Sequence, residues 1–479
     1  MLFNSLTRRT EAFAPVHSGE ARVYTCGPTV YAYQHIGNMR AYVFADTLGR
    51  VLSWKGFALR HVINITDVGH LTSDADAGDD KMEKAAQRAG QSAWDIARHY
   101  TEAYWADIAR LNIRQPFKWT IATDYVPAMI AFAETIADRH CYLLDSGLYF
   151  DTSTVPEYGR LARAETGAGE GRIDSVEGKR HPSDFAIWRR TPPGETRQME
   201  WDSPWGRGAP GWHLECSVMS EAELGLPFDI HTGGIDHREI HHPNEIAQNQ
   251  ARCASHDSGA RIWMHNNFLI DRGGKMSKSS GEFLRLQLLV DRGFHPLAYR
   301  LMCLQAHYRS ELEFSWPSLA AALTRLKRMV MAAARLGDTM AAEIKTPALV
   351  AAMAAFDAAL SDDLNTPLAL TQLEAVLTMK QAAPAERRAA AARMDEALGL
   401  QLFAIDRAAL RVRPADAAID EARIDAMMAA RQAARAAKDF AESDRIRDTL
   451  NQAGVEVMDG DPLGWDWILS ADAPRGESA

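Results

Sequence analysis

Two lysines in Lys275-Met276-Ser277-Lys278-Ser279 and the short run His35-Ile36-Gly37-Asn38 have the residue types of a triphosphate-handling site. Ammonium groups on a loop opened by Arg272-Gly273-Gly274 and closed by Gly281 can swing onto a triphosphate and hold the charge that builds at its α-phosphorus. The earlier run follows the apolar-rich stretch Arg22-Val23-Tyr24-Thr25, where a strand should hand over to a helix. At such a junction Gly37 lets a nucleotide approach the backbone, and His35 and Asn38 offer hydrogen bonds to phosphate oxygens. The lysine run alone also reads as a solvated basic loop. With the second run upstream, the two describe the halves of one ATP site made by His35, Gly37, Asn38, Lys275, Ser277 and Lys278. His35, Asn38, Lys275 and Lys278 are its catalytic candidates.

A second group of side chains has the chemistry of a metal site. Cys26 stands shortly before the His35 run, Cys216 closes Gly211-Trp212-His213-Leu214-Glu215-Cys216, and His241 and Glu245 are four apart. On a helix that last spacing puts both side chains on one face. Two thiols, an imidazole and a carboxylate suit zinc, although they are not one of the closed all-Cys/His structural sets. There is no CxxC hairpin, and by spacing alone Cys26 and Cys216 read equally as small buried hydrophobes.

The strings CGPTVY, HIGN, GWHLECS, HTGGID, HHPNEIAQ and KMSKS occur in that order. Through them the chain resembles a class I aminoacyl-tRNA synthetase of the cysteinyl-tRNA synthetase family, from its first residues to near its end. The resemblance implies one zinc ion held by Cys26, Cys216, His241 and Glu245 and binding the thiolate of substrate L-cysteine. It implies ATP with Mg²⁺ as co-substrate, a cysteinyl-adenylate intermediate, and tRNA(Cys) as the acceptor. It also implies an amino-acid pocket of Thr29, Thr66, Trp212, His231 and Asp236, with Trp212 as a wall; His213 and His242 are expected behind the ligands or in the core. Three features depart from the family pattern. Asn38 replaces a second histidine, so any role needing a cation there is in question. Ser280 and Glu282 follow the KMSKS run where an apolar residue and an amide or Asp are commoner. The acidic stretch 67–80 is longer than usual and reads as a solvated flap. Two rivals share the motifs: a cysteine–amino-sugar ligase, which would lack the long helical tail, and a non-catalytic tRNA-binding paralogue, which would be expected to lose lysines or zinc ligands.

Positioning these groups requires strands and helices in alternation. Residues 21–25 and 58–65 read as buried strands with a helix over 39–55 between them, which predicts an α/β, Rossmann-like parallel sheet with ligands at the strands' carboxyl ends. Residues 228–230 read as another strand, feeding His231. The expected organisation is a catalytic domain at 1–117 and 206–290, a connective insertion at 118–205 containing a strand at 148–150, a stem-contact region and helical bundle at 291–410, and an anticodon-binding domain at 411–479. Arg325, Arg328 and Arg335 share one helical face, as do Arg431, Arg435 and Lys438; each reads either as a tRNA contact or as a solvated face balanced by acids such as Asp439 and Glu442.

Bulk properties bound the answer. The 479 residues suffice for about three domains, and 47% hydrophobic with 24% charged residues is an ordinary soluble composition. No run approaches a membrane-spanning length and the start lacks an apolar signal core, so the expectation is a cytoplasmic protein, and a monomer. Five scattered cysteines do not suggest a disulfide framework. A net charge of −10 argues against indiscriminate nucleic-acid binding but leaves room for a local basic face.

Overall fold

Val23 and Tyr24 are fully buried, and so are Val62 and Ile65. Apolar runs without alternation suit strands covered on both faces. In a computed structural model, which describes residues 1–68, 81–162, 177–255, 259–271, 274–275, 284–339 and 343–469, these runs form β1 (Glu20–Thr25) and β2 (Ala58–Ile65). They are joined by α1 (Ile36–Trp54), and α2 (Ala93–Arg110) leads on to β3 (Lys118–Ile121). A second half follows as α3 (Trp212–Leu224), β4 (Phe228–Gly234), α4 (His241–Cys253) and β5 (Ala260–Asn266). The sheet order is β5-β4-β1-β2-β3, parallel throughout. The chain therefore winds one way from β1 and the other way from β4. The crevice beyond the carboxyl ends of those two neighbours is where such sheets bind ligands.

α1 begins at Ile36 rather than near residue 39, because His35 caps it: its Nδ1 accepts the Asn38 backbone N–H at 3.2 Å. The His35-Ile36-Gly37-Asn38 run is thus a helix cap and first turn, in which the Ile36 N–H donates to the Leu284 carbonyl at 2.9 Å. Arg40, in the next turn, is buried and donates to the carbonyls of Asn267 (2.9 Å) and Ser310 (2.5 Å), tying α1 to the segment that leads toward Lys275. β4 runs past residue 230 to Gly234, so His231 and Thr232 are strand residues and not part of a loop.

The boundary expected at residue 117 shifts, because Lys118–Ile121 pairs with Val62–Ile65 as the fifth strand of the catalytic sheet. A charged and aromatic start, Lys118-Trp119, hides its strand character. The insertion folds as a separate antiparallel sheet of Cys141–Leu144, Gly147–Phe150, Phe185–Arg190 and Gly208–Pro210, so it extends past residue 205. Helices dominate from Pro296–Leu304 to Pro384–Leu398. A small terminal unit, two helices (Glu421–Ala436, Phe440–Gln452) and a hairpin, has its own core of Ile424, Met428, Ile446, Leu450, Val455, Trp465 and Trp467. No helix among the described residues is long and apolar enough to cross a membrane.

Candidate active site

A cavity of about 320 Å³ lies at the carboxyl ends of β1 and β4. One wall is the start of α1, with His35, Gly37, Asn38 and Tyr42; the opposite wall holds Trp212, Asp236 and His241, and Cys26 and Thr29 lie between them. The backbone turn after Cys26 is fixed by Gly27, whose N–H donates to Asn64 Oδ1 at 2.7 Å. A Cβ at Gly27 would stand 1.6 Å from the Asn64 carbonyl oxygen, so no other residue lets β1 pass β2 this closely.

Cys26 directly follows β1, Cys216 lies on the second turn of α3, and His241 and Glu245 open α4, so three parts of the fold deliver one ligand group. Their Sγ, Sγ, imidazole nitrogen and carboxylate oxygen lie within 4.8 Å of one another, all buried. The two sulfurs are 3.9 Å apart and His241 Nε2 is 3.0 Å from Glu245 Oε1. Helical spacing explains the last contact, since residues four apart face the same way.

A second set, Cys26, His231, His242 and Glu245, overlaps the first. His242 and His231 do not border the cavity; Cys26 and His241 do. His231 Nε2 meets Glu245 Oε2 at 2.8 Å and its ring stacks on Trp263, while His242 Nδ1 meets His265 Nε2 at 2.8 Å, and His265 in turn meets Ser5 Oγ. Both rings therefore brace the group from behind.

The electrostatics are those of a cation site. Burial alone would raise Glu245, but His231 and His241, with their hydrogen bonds, hold it down to about 2. The hydrogen bond from Cys26 draws Cys216 down to about 6 against its burial, whereas burial pushes Cys26 well up, so one proton is shared between two sulfurs. Burial opposes a charge on His241, yet Glu245 and Cys216 raise it to about 10. A divalent ion would displace these protons and take their place as counter-charge. His241 Nδ1 is 2.9 Å from His213 Nδ1, leaving Nε2 to face Glu245.

The other expected residues are distributed unevenly. Trp212 borders the cavity with its ring centroid 4.4 Å from that of His241. Thr29 and Asp236 border it as well, and Asp236 is open to solvent. Thr66 pairs with Thr29 through a backbone bridge, but it is buried and donates its hydroxyl to Glu215 Oε2 at 3.0 Å. Like His231, it does not border the cavity. Lys275 pairs by its backbone with Ile270; Ser277, Lys278 and the residues after them, and 69–80 of the acidic stretch, lie outside the described residues. Asp67, at the base of that stretch, accepts from the Thr123 backbone N–H at 3.0 Å. The arginine faces are paired in part: Arg325 makes two hydrogen bonds to Glu374 at 2.7 and 2.8 Å, and Arg431 and Arg435 both hold Asp459, while Arg328, Arg335 and Lys438 are exposed. Asp439 and Glu442, the acids expected to balance the second face, instead cap the Phe440 helix and bind Arg445. Tyr33 and Tyr42 border the cavity without belonging to any motif; helical spacing from Asn38 was the signal available for Tyr42.

A family description of class I (C) tRNA synthetase catalytic domains matches residues 12–324, and one of cysteinyl-tRNA ligase anticodon-binding domains matches residues 421–462. A cysteine–tRNA ligase of Novosphingobium aromaticivorans is 70% identical over 98% of this chain and 97% of its own length. One from Zymomonas mobilis is 54% identical over 98% and 97%. In fold, a Mycobacterium tuberculosis methionyl-tRNA synthetase structure aligns with TM-score 0.52 at 15% identity, over 80% of this chain and 90% of that one. A leucyl-tRNA synthetase complex from Agrobacterium radiobacter K84 aligns with TM-score 0.58 at 12% identity, over 84% and 88%.

Proposed function

The chain belongs to the cysteinyl-tRNA synthetase (cysteine–tRNA ligase) family and, as an enzyme of that family, ligates cysteine to tRNA(Cys) at the expense of ATP; we propose that it does so through a cysteinyl-adenylate and that a zinc ion selects the cysteine thiol. The observation that carries the zinc reading is the convergence of Cys26, Cys216, His241 and Glu245 within 4.8 Å of one another, with Cys26 and His241 bordering the cavity. The donor types fit zinc, and the set reaches the cavity through Cys26 and His241, so a substrate sulfur has access to it. Bound there, zinc would supply a Lewis acid that takes the substrate thiol as thiolate. Of the overlapping set only Cys26 borders the cavity, and neither of its histidines does, which argues against it as the substrate-facing choice.

The chain's own residues then divide the work. Cysteine lies with its side chain at the sulfur ligands and its carboxylate toward the start of α1, where His35 and Asn38 meet the phosphates of Mg²⁺-bound ATP. The carboxylate attacks the α-phosphorus and pyrophosphate leaves. It is already ionised at neutral pH, so no general base is assigned. Lys275 and Lys278 stabilise the charge that develops on the α-phosphoryl group. A ribose hydroxyl of the terminal adenosine of tRNA attacks the adenylate carbonyl, and AMP departs. The four ligand candidates make one group, which supports one zinc per chain, and a monomer acting in the cytoplasm is part of the same proposal. The match of residues 421–462 to an anticodon-binding domain supports the terminal unit as the anticodon contact.

The test is ATP–pyrophosphate exchange and aminoacylation by the purified chain with cysteine and total tRNA. Cysteine-dependent exchange together with charging supports the reading; exchange without charging of any tRNA would favour a cysteine–amino-sugar ligase, and neither reaction would favour a non-catalytic tRNA-binding paralogue.

A further inference from the structure

We propose that the hydroxyl of Tyr42 accepts a hydrogen bond from the α-ammonium group of the bound amino acid and, with Asp236, positions it. The inference rests on the cysteine-activating reading above. It adds a positioning residue that none of the motifs contains.

Tyr42 stands on α1 one turn beyond Asn38, at i and i+4, so both present to the same side of the helix. Asn38 marks the phosphate end of the cavity and Cys26 the sulfur end, and Tyr42 borders the cavity with both. A cysteine stretched from one end to the other must place its α-carbon between them, and the ammonium branches from that carbon.

Tyr42 is only 5% exposed, yet its hydroxyl makes no hydrogen bond among the described residues. Other buried tyrosines commit theirs to the protein: Tyr299 donates to the Ile36 carbonyl at 2.5 Å and Tyr308 to Asp363 at 2.8 Å. The hydroxyls of Tyr24 and Tyr104 are sealed in the interior, whereas that of Tyr42 is not. Its ring is already held, edge to face, by Tyr104 with centroids 5.0 Å apart. Phenylalanine would make the same contact, so packing leaves the oxygen unexplained.

The neighbours of that oxygen decide what it binds. Burial pushes the phenol well up, with Cys26 and Asp236 as smaller influences, so the hydroxyl stays protonated and the Asp236 carboxylate bears on it. A carboxylate settling there would meet like charge; an ammonium would meet opposite charge. An ammonium has three N–H donors and needs as many acceptors. Asp236, on the facing wall, supplies one and the neutral phenol oxygen another.

The experiment uses the full-length chain with zinc content verified, as wild type and Tyr42→Phe. Three thiols are titrated calorimetrically: cysteine, cysteamine (no carboxylate) and 3-mercaptopropionate (no ammonium). The expected result is that Tyr42→Phe weakens cysteine and cysteamine by about 10- to 100-fold, as for a lost hydrogen bond to a charged group, and leaves 3-mercaptopropionate and Tm unchanged. Equal affinities in both proteins for all three thiols overturn the proposal, as does equal weakening of all three, which would report a damaged pocket. Weakening of 3-mercaptopropionate without cysteamine overturns it in favour of a carboxylate contact. A wild type that binds none of the three removes the cysteine-site reading itself, and this inference with it.

Discussion

Arg300 Nη2 lies 2.6 Å from Asp46 Oδ2, with both side chains sealed from solvent. Arg50 Nε reaches the same oxygen at 2.7 Å, and the Arg114 backbone N–H donates to Asp46 Oδ1 at 3.0 Å. Arg300 also donates to the carbonyls of Leu398 (2.8 Å) and Leu111 (3.1 Å). One carboxylate thus fastens α1, whose first turn meets the phosphates in the proposed mechanism, to the approach to β3 and to the helical half of the chain.

Removing that carboxylate should be costly. Asp46→Ala leaves two buried guanidinium groups without a counter-charge, and stability should fall by about 3–5 kcal/mol in equilibrium urea unfolding. Asp46→Leu combined with Arg300→Met should cost less than the sum of the single changes, because the second removes the charge stranded by the first. Additive losses would mean that the two residues stabilise the fold independently.

His61 gives stability a pH dependence of known sign. Burial pushes its imidazole down to about 4, Asp46 opposing this weakly and Arg114 adding to it, and Nε2 sits 2.8 Å from Thr25 Oγ1. The unfolded chain has a histidine near ~6.5, so it takes up a proton at a pH where the folded chain does not. This contribution is complete above about pH 6.5 and is lost as pH falls toward 4. Between pH 7.5 and 5, the stability advantage of wild type over His61→Gln should shrink by about 2 kcal/mol. A constant difference across that range would show that His61 titrates normally in the fold.

The candidate metal ligands were easier to read than the elements that carry them. Unbroken apolar runs announce strands such as Ala58–Ile65, and the two sulfurs, the imidazole and the carboxylate come together as their chemistry suggests. Lys118–Ile121 was hidden because a fifth strand at a sheet edge tolerates lysine and tryptophan. The arginine faces were legible only in part. Periodicity reveals which residues share a helix face but not which acids, such as Glu374 or Asp459, the fold brings against them. Tyr42 was invisible as a site residue because an aromatic on a nearly all-buried helix reads as core.

One zinc ion per chain should be found by elemental analysis, and Cys216→Ser should lower that occupancy sharply. Cys216 lies 3.9 Å from Cys26, so both sulfurs can reach one ion, and losing one thiolate leaves three ligands of the set. A serine hydroxyl is far harder to deprotonate and is a poor ligand in its place. Full occupancy in the variant would point to the overlapping set of Cys26, His231, His242 and Glu245.

Deleting residues 411–479 should leave cysteine-dependent pyrophosphate exchange largely intact while tRNA charging falls steeply. The terminal unit has a hydrophobic core of its own, separate from that of the catalytic sheet. Its contacts with the rest include the ion pair of Arg407 with Asp461 at 2.9 Å and that of Lys327 with Asp466. None of the residues bordering the cavity belongs to it. Equal charging by full and shortened chains would assign the unit to stability instead.

Cysteine should be preferred over serine by at least about 10⁴ in kcat/KM for pyrophosphate exchange, as in sites that bond a group the rival lacks. The two amino acids differ by one atom, and a cavity shaped by Trp212 and Thr29 alone would separate them only weakly. A metal separates them by chemistry. A thiol starting near ~8.5 surrenders its proton on coordination, whereas a hydroxyl must bind as a weak neutral ligand. Among its described residues, the insertion is a small antiparallel sheet in which buried Asp184 holds Tyr142 Oη at 2.8 Å and the Thr152 backbone N–H at 2.9 Å, a structural arrangement with no hydrolytic constellation for proofreading. The measurement is the ratio of the two kcat/KM values with zinc content verified. A ratio near 10² would mean that the Cys26–Cys216–His241–Glu245 group does not touch the substrate sulfur, and the proposed source of selectivity would have to be sought elsewhere in the cavity.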